Sequence, residues 1–267
     1  MGWLALKAFT GVVMAFLLLP IVTTVLFSVA ASPVFVFPPT EFTFDWYLKI
    51  SPVYFEALKV SLIVAAGTSV LAALVGTPAA LAIVRGRFAG RRAINAFCLS
   101  PLMVPTLVIG VSAFQFMIKL YDFFGLSIGG TILAIILAQT ALTLPLVIRA
   151  AIAGQAHFDL TLEEAASGLG ATPWQIFWRV TLPLIAPGIA SGAIFAFIMS
   201  LDDVPISLFT GGGDATTLPV KIFFAIEHSL DADVMAVATI IIGVSLVLML
   251  ALERLLGLDK FFGVKAG

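Results

Sequence analysis

DLTLEEAASGLGATPWQIFWRVTLP, residues 159–183, is the longest polar interruption in an otherwise apolar chain, and the rest is organised around it. Thr161 followed three residues later by Glu164 is a capping-box pattern, which predicts a helix starting near Leu162. Glu163 and Glu164 in that first turn suit the positive end of the helix dipole. Ala165 and Ala166 are strong helix formers. Gly170 can take the left-handed conformation that closes a helix. A second start follows at once: Thr172 can cap, Pro173 sits at the first helical position, and Gln175 completes another capping box. This second helix is predicted to run through Trp174, Ile176, Phe177 and Val180 until Pro183.

Around this loop the 267 residues are 61% hydrophobic and 11% charged, against roughly 25% charged in soluble domains. The chain therefore reads as an all-α polytopic membrane protein. A spanning helix needs about 20 predominantly apolar residues. Six segments qualify: 8–30, 57–84, 94–120, 130–150, 186–209 and 234–256. Pro20, Pro78, Pro101, Pro105, Pro145 and Pro205 fall inside them, and such kinks are tolerated where neighbours satisfy the freed carbonyls. The first segment is too long for the apolar core of a signal peptide and is read as a retained span.

Lysine and arginine counts orient the chain. With the N-terminus inside, the inner side holds Lys7, Arg85, Arg87, Arg91, Arg92, Arg149, Arg179, Arg254, Lys260 and Lys265. The outer side holds Lys49, Lys59, Lys119 and Lys221. Ten against four puts both termini, and the 155–183 loop, in the cytoplasm.

Several chemistries are excluded. A net charge of −1 gives no electrostatic case for nucleic acid. Cys98 is the only cysteine, so no intrachain disulfide or cysteine metal cluster can form. His157 and His228 lie far apart without ligand spacing, and no G-x-x-x-x-G-K stretch supplies a nucleotide loop. In the outer connection 31–56, Phe42, Phe44, Trp46 and Tyr47 read as an interfacial aromatic belt, with ligand contact as the alternative. Gln115, Gln139, Thr140 and Thr143 read as interhelical hydrogen-bond partners, and Gly188 with Gly192 as a close-packing pair. Asp202 and Asp203, in MSLDDVPISLF, stand near the outer end of the fifth segment. They are either hydrated at headgroup level or a functional site, and neighbouring helical positions point about 100° apart, so at most one should face a central pathway.

The loop carries a family likeness. Glu164-Ala165-Ala166, then Gly170, then Val180-Thr181-Leu182-Pro183 resembles the EAA loop of permease subunits of binding-protein-dependent ABC importers. That pattern is E-A-A, three residues, G, nine residues, I-x-L-P. Of its seven fixed positions over twenty residues six are identical, the exception being Val180 for isoleucine. MSLDDVPISLFTGGG and TLPVKIFF extend the likeness to the smaller permease subunit of spermidine/putrescine importers.

The resemblance implies a non-enzymatic, multi-pass subunit of a bacterial inner membrane that forms a pathway for a small solute. It implies that Glu163, Glu164, Ala165, Ala166, Gly170, Leu182 and Pro183 form a coupling helix that docks on a cytoplasmic ATPase. It implies as partners a second permease, two ATPase subunits that hold ATP and magnesium, and a soluble solute-binding protein outside. Asp202 or Asp203 is expected on the substrate pathway. Alternatives are an importer for an amino-acid derivative, an opine or a metal complex, and a stand-alone secondary transporter.

Overall fold

The computed structural model describes residues 2–32, 37–86, 88–155, 159–228 and 232–256. Pro33, Arg87, His157, Lys260 and Lys265 lie outside them, and of the side chains of His228 and Arg254 nothing is described. The described residues are helical almost throughout, without strands beyond two isolated bridges. Among the described residues five helices are long and apolar enough to cross a membrane, and Val234–Val247 adds a shorter apolar stretch. The chain divides into two units, Met1–Glu56 with Lys221–Met249, and Ala57–Val220 with Leu250–Gly267.

In the first unit, α1 (Gly2–Ser28) exposes apolar side chains on every side, Trp3, Phe9, Phe16 and Leu17 among them. A helix that is apolar all round has lipid rather than water as its solvent. The connection after it folds back on its end. Thr43 donates its amide to the Val29 carbonyl at 2.8 Å. From the short α2 (Asp45–Leu48), Trp46 Nε1 donates to the Ala30 carbonyl at 2.8 Å and Tyr47 Oη lies 2.7 Å from Ser28 Oγ. Of the four aromatics read as a belt, Trp46 and Tyr47 thus tie the connection to α1, while Phe42 and Phe44 are exposed.

The second unit is built on α3 (Pro52–Arg85), α4 (Arg91–Leu99), α5 (Thr106–Phe124), α6 (Ile132–Gly154), α7 (Thr161–Gly168), α8 (Pro173–Ile176), α9 (Leu182–Leu201) and α10 (Pro205–Thr210); of the two helices that follow in the chain, α11 (Leu218–His228) and α12 (Ala232–Leu256), most of each belongs to the first unit. The central element is α6. Ile135, Gln139, Thr143, Val147, Ile148 and Ala151 along it are almost fully buried. Val147 packs with Ala72 and Ala196, Ile148 with Ala80 and Ile83, and Leu142 with Met117 and Ile206.

Helices α6 and α9 approach to backbone contact. A Cβ added to Gly188 would stand 2.8 Å from the Ala150 carbonyl oxygen and from Gly154 Cα, and one on Gly192 2.8 Å from Val147 Cα. The small-residue pair therefore packs within the chain.

Two apolar segments are broken. The stretch read as one span over 94–120 is α4, a 3₁₀ turn at Ser100–Met103, and then α5. Val104 stands at φ −90°, ψ 132°, because the residue before a proline, here Pro105, is driven out of the helical region. The stretch 186–209 likewise stops at Leu201 and restarts at Pro205, the first residue of α10. Of the polar residues in the segments, Gln139 reaches other helices. Thr140 and Thr143 instead donate to carbonyls of α6 itself, Ile136 at 2.6 Å and Gln139 at 3.0 Å, and Gln115 is exposed.

Candidate functional site

The polar loop forms two short helices, but its first start differs from the capping box read at Thr161. Leu160 occupies the cap position without a side-chain bond, and Asp159 Oδ1 accepts the Thr161 amide at 3.0 Å. Thr161 is already helical and so cannot cap. The aspartate two residues earlier closes the turn instead. This bond, with help from the Thr161 hydroxyl, holds the Asp159 carboxyl below the usual carboxylate range.

The other signals in the loop are met. Gly170 has φ +84°, with its amide 2.9 Å from the Ser167 carbonyl and the Ala171 amide 3.1 Å from that of Ala166, the paired bonds of a Schellman ending. Thr172 and Gln175 form a complete capping box, at 2.9 and 3.3 Å, behind Pro173.

The second helix does not end at Pro183. It widens into a π turn over Phe177–Thr181 and runs on as α9 to Leu201. Proline in a helix lacks a donor and crowds the carbonyl four residues back. The wider turn just before Pro183 loosens that crowding, as π turns do inside helices. The second helix of the loop and the fifth apolar helix are in consequence one continuous rod, Pro173–Leu201.

Along this loop Glu164, Ala165, Gly170 and Pro183 are exposed, while Ala166 and Leu182 are half-buried. Leu169 and Trp174 are exposed as well, and Trp174 and Phe177 both meet Trp178 edge-on at 5.5 and 5.4 Å between centroids.

Glu163 turns the other way. Arg85 Nη1, at the end of α3, lies 2.8 Å from its Oε1 and 3.0 Å from Oε2, and the Thr181 hydroxyl donates to Oε1. Nothing in the sequence pattern singled out Arg85 or Thr181, because their meeting depends on how α3 and the π turn converge. These residues line a groove of about 400 Å³ beneath the loop.

The acidic pair lies at the other break, past the end of α9 and outside any helix, and its two side chains part. Asp202 is exposed and Asp203 is 7% exposed. Oδ2 of Asp203 accepts from the Ser207 amide at 2.9 Å, from the Ser207 hydroxyl at 3.2 Å and from Gln139 Nε2 at 3.1 Å. Gln139 Nε2 also donates to Ser207 Oγ at 2.9 Å, and its Oε1 accepts from the Ser200 hydroxyl and from Thr68 at 3.4 Å. Asp203 is thus the acceptor that fastens the start of α10 to α6. Ser200, Ser207 and Thr68 carried no signal of their own, since isolated hydroxyls in apolar helices are common.

A helical membrane chain whose fifth long apolar helix continues into a capped polar loop has the fold of an ABC-importer membrane subunit. A crystal structure of a bacterial alginate ABC transporter, in complex with an alginate pentasaccharide-bound periplasmic protein, matches with a TM-score of 0.72 at 17% identity over 99% of this chain and 96% of that one. The MetNI methionine ABC transporter in an inward-facing conformation matches at 0.61 and 20% identity over 80% and 97%. At those identities the likeness is one of fold.

Sequence goes further. Residues 72–258 match the binding-protein-dependent transport system inner membrane component family, and the chain belongs to it. The putrescine transport system permease protein PotI of Escherichia coli (strain K12) is 35% identical over 201 residues, 74% of this chain and 72% of that protein. The spermidine/putrescine transport system permease protein PotC of the same strain is 30% identical over 264 residues, 98% and 97% of the two. The molybdenum transport system permease protein ModB of Mycobacterium bovis is 32% identical over 213 residues, 76% and 81%. The chain is a non-catalytic permease subunit of an ABC importer. Membership sets aside the stand-alone secondary transporter.

Proposed function

We propose that this subunit forms half of the translocation pathway for a polyamine of the putrescine and spermidine type. The observation that carries the reading is likeness to PotC along 98% of the chain together with the higher identity to PotI. An exposed carboxylate at the end of α9, Asp202, suits a cationic solute, while Asp203 is engaged within the fold. Two opposite charges about 4 Å apart attract by roughly 1 kcal/mol in water and about 4 kcal/mol at an effective dielectric near 20. A contact of that size guides a cation without retaining it.

The partners in this reading are a second permease in a heterodimer, two cytoplasmic ATPases that bind ATP and magnesium, and a solute-binding protein on the outer side. The membrane is the bacterial inner membrane, with both termini cytoplasmic. The run of Glu164, Ala165, Ala166 and Gly170, exposed but for the half-buried Ala166, is the face offered to the ATPase, and Leu182 with Pro183 joins it to α9. ATP closure moves this face, and the permeases alternate between two states biased by ligands on both sides.

The test is ATP-driven uptake by the reconstituted importer with labelled putrescine, spermidine and molybdate. Saturable polyamine uptake that unlabelled polyamine competes away is expected. The relative ModB, a molybdenum transport system permease protein, makes molybdenum the second reading, and molybdate uptake without polyamine uptake would replace the first.

A further inference from the structure

We infer that Glu163 is a positioning residue: it clasps the coupling helix to the ends of two apolar helices, so that helix α7, α3 and α9 move as one body. The inference rests on the importer reading and assigns a role within its loop that docking does not require.

Glu163 and Glu164 are adjacent in α7, so their side chains leave the helix about 100° apart. Glu164 is exposed. The side chain of Glu163 is 20% exposed and that of Arg85 31%. The carboxylate takes Arg85 from the last residue of α3 and the hydroxyl of Thr181, itself 2% exposed, from the last residue of the π turn. Three elements meet at one side chain, with Arg85 78 residues and Thr181 18 residues from it along the chain.

Helix α7 needs such a fastening. It has eight residues and none of them is buried. Isolated helices of that length are marginal, and without an apolar face little else fixes this one in place. A load applied to α7 by a partner reaches the apolar helices only through a stiff connection. The chain supplies one route through α8 and the π turn into α9. The Glu163 clasp supplies the second, direct to α3, and braces the π turn where the rod is widest. Glu163 therefore transmits what Glu164 and the alanines receive.

The test replaces the ion pair by a covalent bridge. Arg85→Cys with Glu163→Cys is placed in a Cys98→Ser background and assembled with the ATPase, the second permease and the binding protein. Unbridged, solute-stimulated ATP hydrolysis falls about tenfold, and a short bifunctional thiol reagent returns it to within about twofold of the Cys98→Ser parent, in keeping with the usual size of coupling between sites. Thr181→Val, which leaves the ion pair, gives an intermediate loss. A pair that is bridged yet stays slow overturns the clasp, and so does an unbridged pair that hydrolyses at the parent's rate. The bridging yield in membranes carrying the subunit alone reads the geometry without any transport, and a low yield also overturns it. High yield with a parent that shows no solute-stimulated hydrolysis would remove the importer reading of the loop and leave the joint standing.

Discussion

Gln139 Nε2 donates to Asp203 Oδ2 at 3.1 Å across the interface of α6 with the break after α9. Both residues are buried, and Ser207 completes the group with its amide and hydroxyl. What matters at Asp203 is thus an acceptor oxygen. Asp203→Asn is expected to keep near-parental thermal stability in detergent, whereas Asp203→Ala leaves buried donors unsatisfied at about 1–3 kcal/mol each and lowers the melting temperature. At the exposed Asp202 the order differs: Asn and Ala both reduce polycation uptake, with membrane levels unchanged. Full uptake by Asp202→Asn would remove the attraction proposed for that carboxylate.

Gly188, at the contact of α6 with α9, and Gly11, on α1, are expected to respond differently to alanine. Gly188→Ala places a Cβ 2.8 Å from backbone atoms that cannot swing aside, and overpacking of this kind costs about 1–3 kcal/mol. Gly11→Ala on α1 meets nothing within 4 Å and should be neutral or stabilising. Melting curves of the two purified variants, compared with the parent, check both expectations.

Gly170 offers a graded series. A Cβ there meets no neighbour, so the obstacle is φ +84° alone. Leaving glycine costs on the order of 1–2 kcal/mol, least for asparagine and most for a β-branched residue. Solute-stimulated ATP hydrolysis should fall in the order Asn, Ala, Val with the protein still reaching the membrane. Equal activity of Gly170→Val and the parent would mean that the loop only connects two helices.

The start of α7 depends on Asp159 rather than on Thr161. Asp159→Ala should speed amide hydrogen exchange in the first turn of α7, while Asp159→Asn, which keeps the acceptor, should not. The folded-state pKa is depressed, so the contribution of the carboxylate is present at neutral pH and is lost as pH falls through the folded value. Protection factors at these amides, taken against the intrinsic exchange rate at each pH, that do not fall on acidification below the ordinary aspartate pKa contradict this.

Orientation is checked by cysteine labelling in the Cys98→Ser background. A membrane-impermeant thiol reagent added to intact cells should modify cysteines placed at Ser32 and Asp214, and not those at Gly90 or Ser167. Labelling at Ser167 from outside would put the loop on the wrong side for a cytoplasmic ATPase.

The sequence by itself determined the class of this protein. A mean composition this apolar leaves helices in lipid as the stable solution, because backbone groups must be satisfied within each segment. It also determined the Schellman ending at Gly170 and the capping box at Thr172 and Gln175, since those bonds are made between residues at most five positions apart. The family was legible for the same reason, its pattern being local in residues 164–183. Where a local rule was misjudged, at Thr161, a nearer competitor, Asp159, had taken the amide.

Only the tertiary structure decided the rest. Pro183 reads as a stop, yet a π turn carries the helix past it into α9. Which of two adjacent aspartates is buried, and which of two adjacent glutamates turns inward, depended on Gln139 and Arg85, 64 and 78 residues away along the chain. Residues so distant meet only after the helices pack. Spacing along a helix sets the angle between neighbouring side chains, and packing alone sets which of them faces the interior.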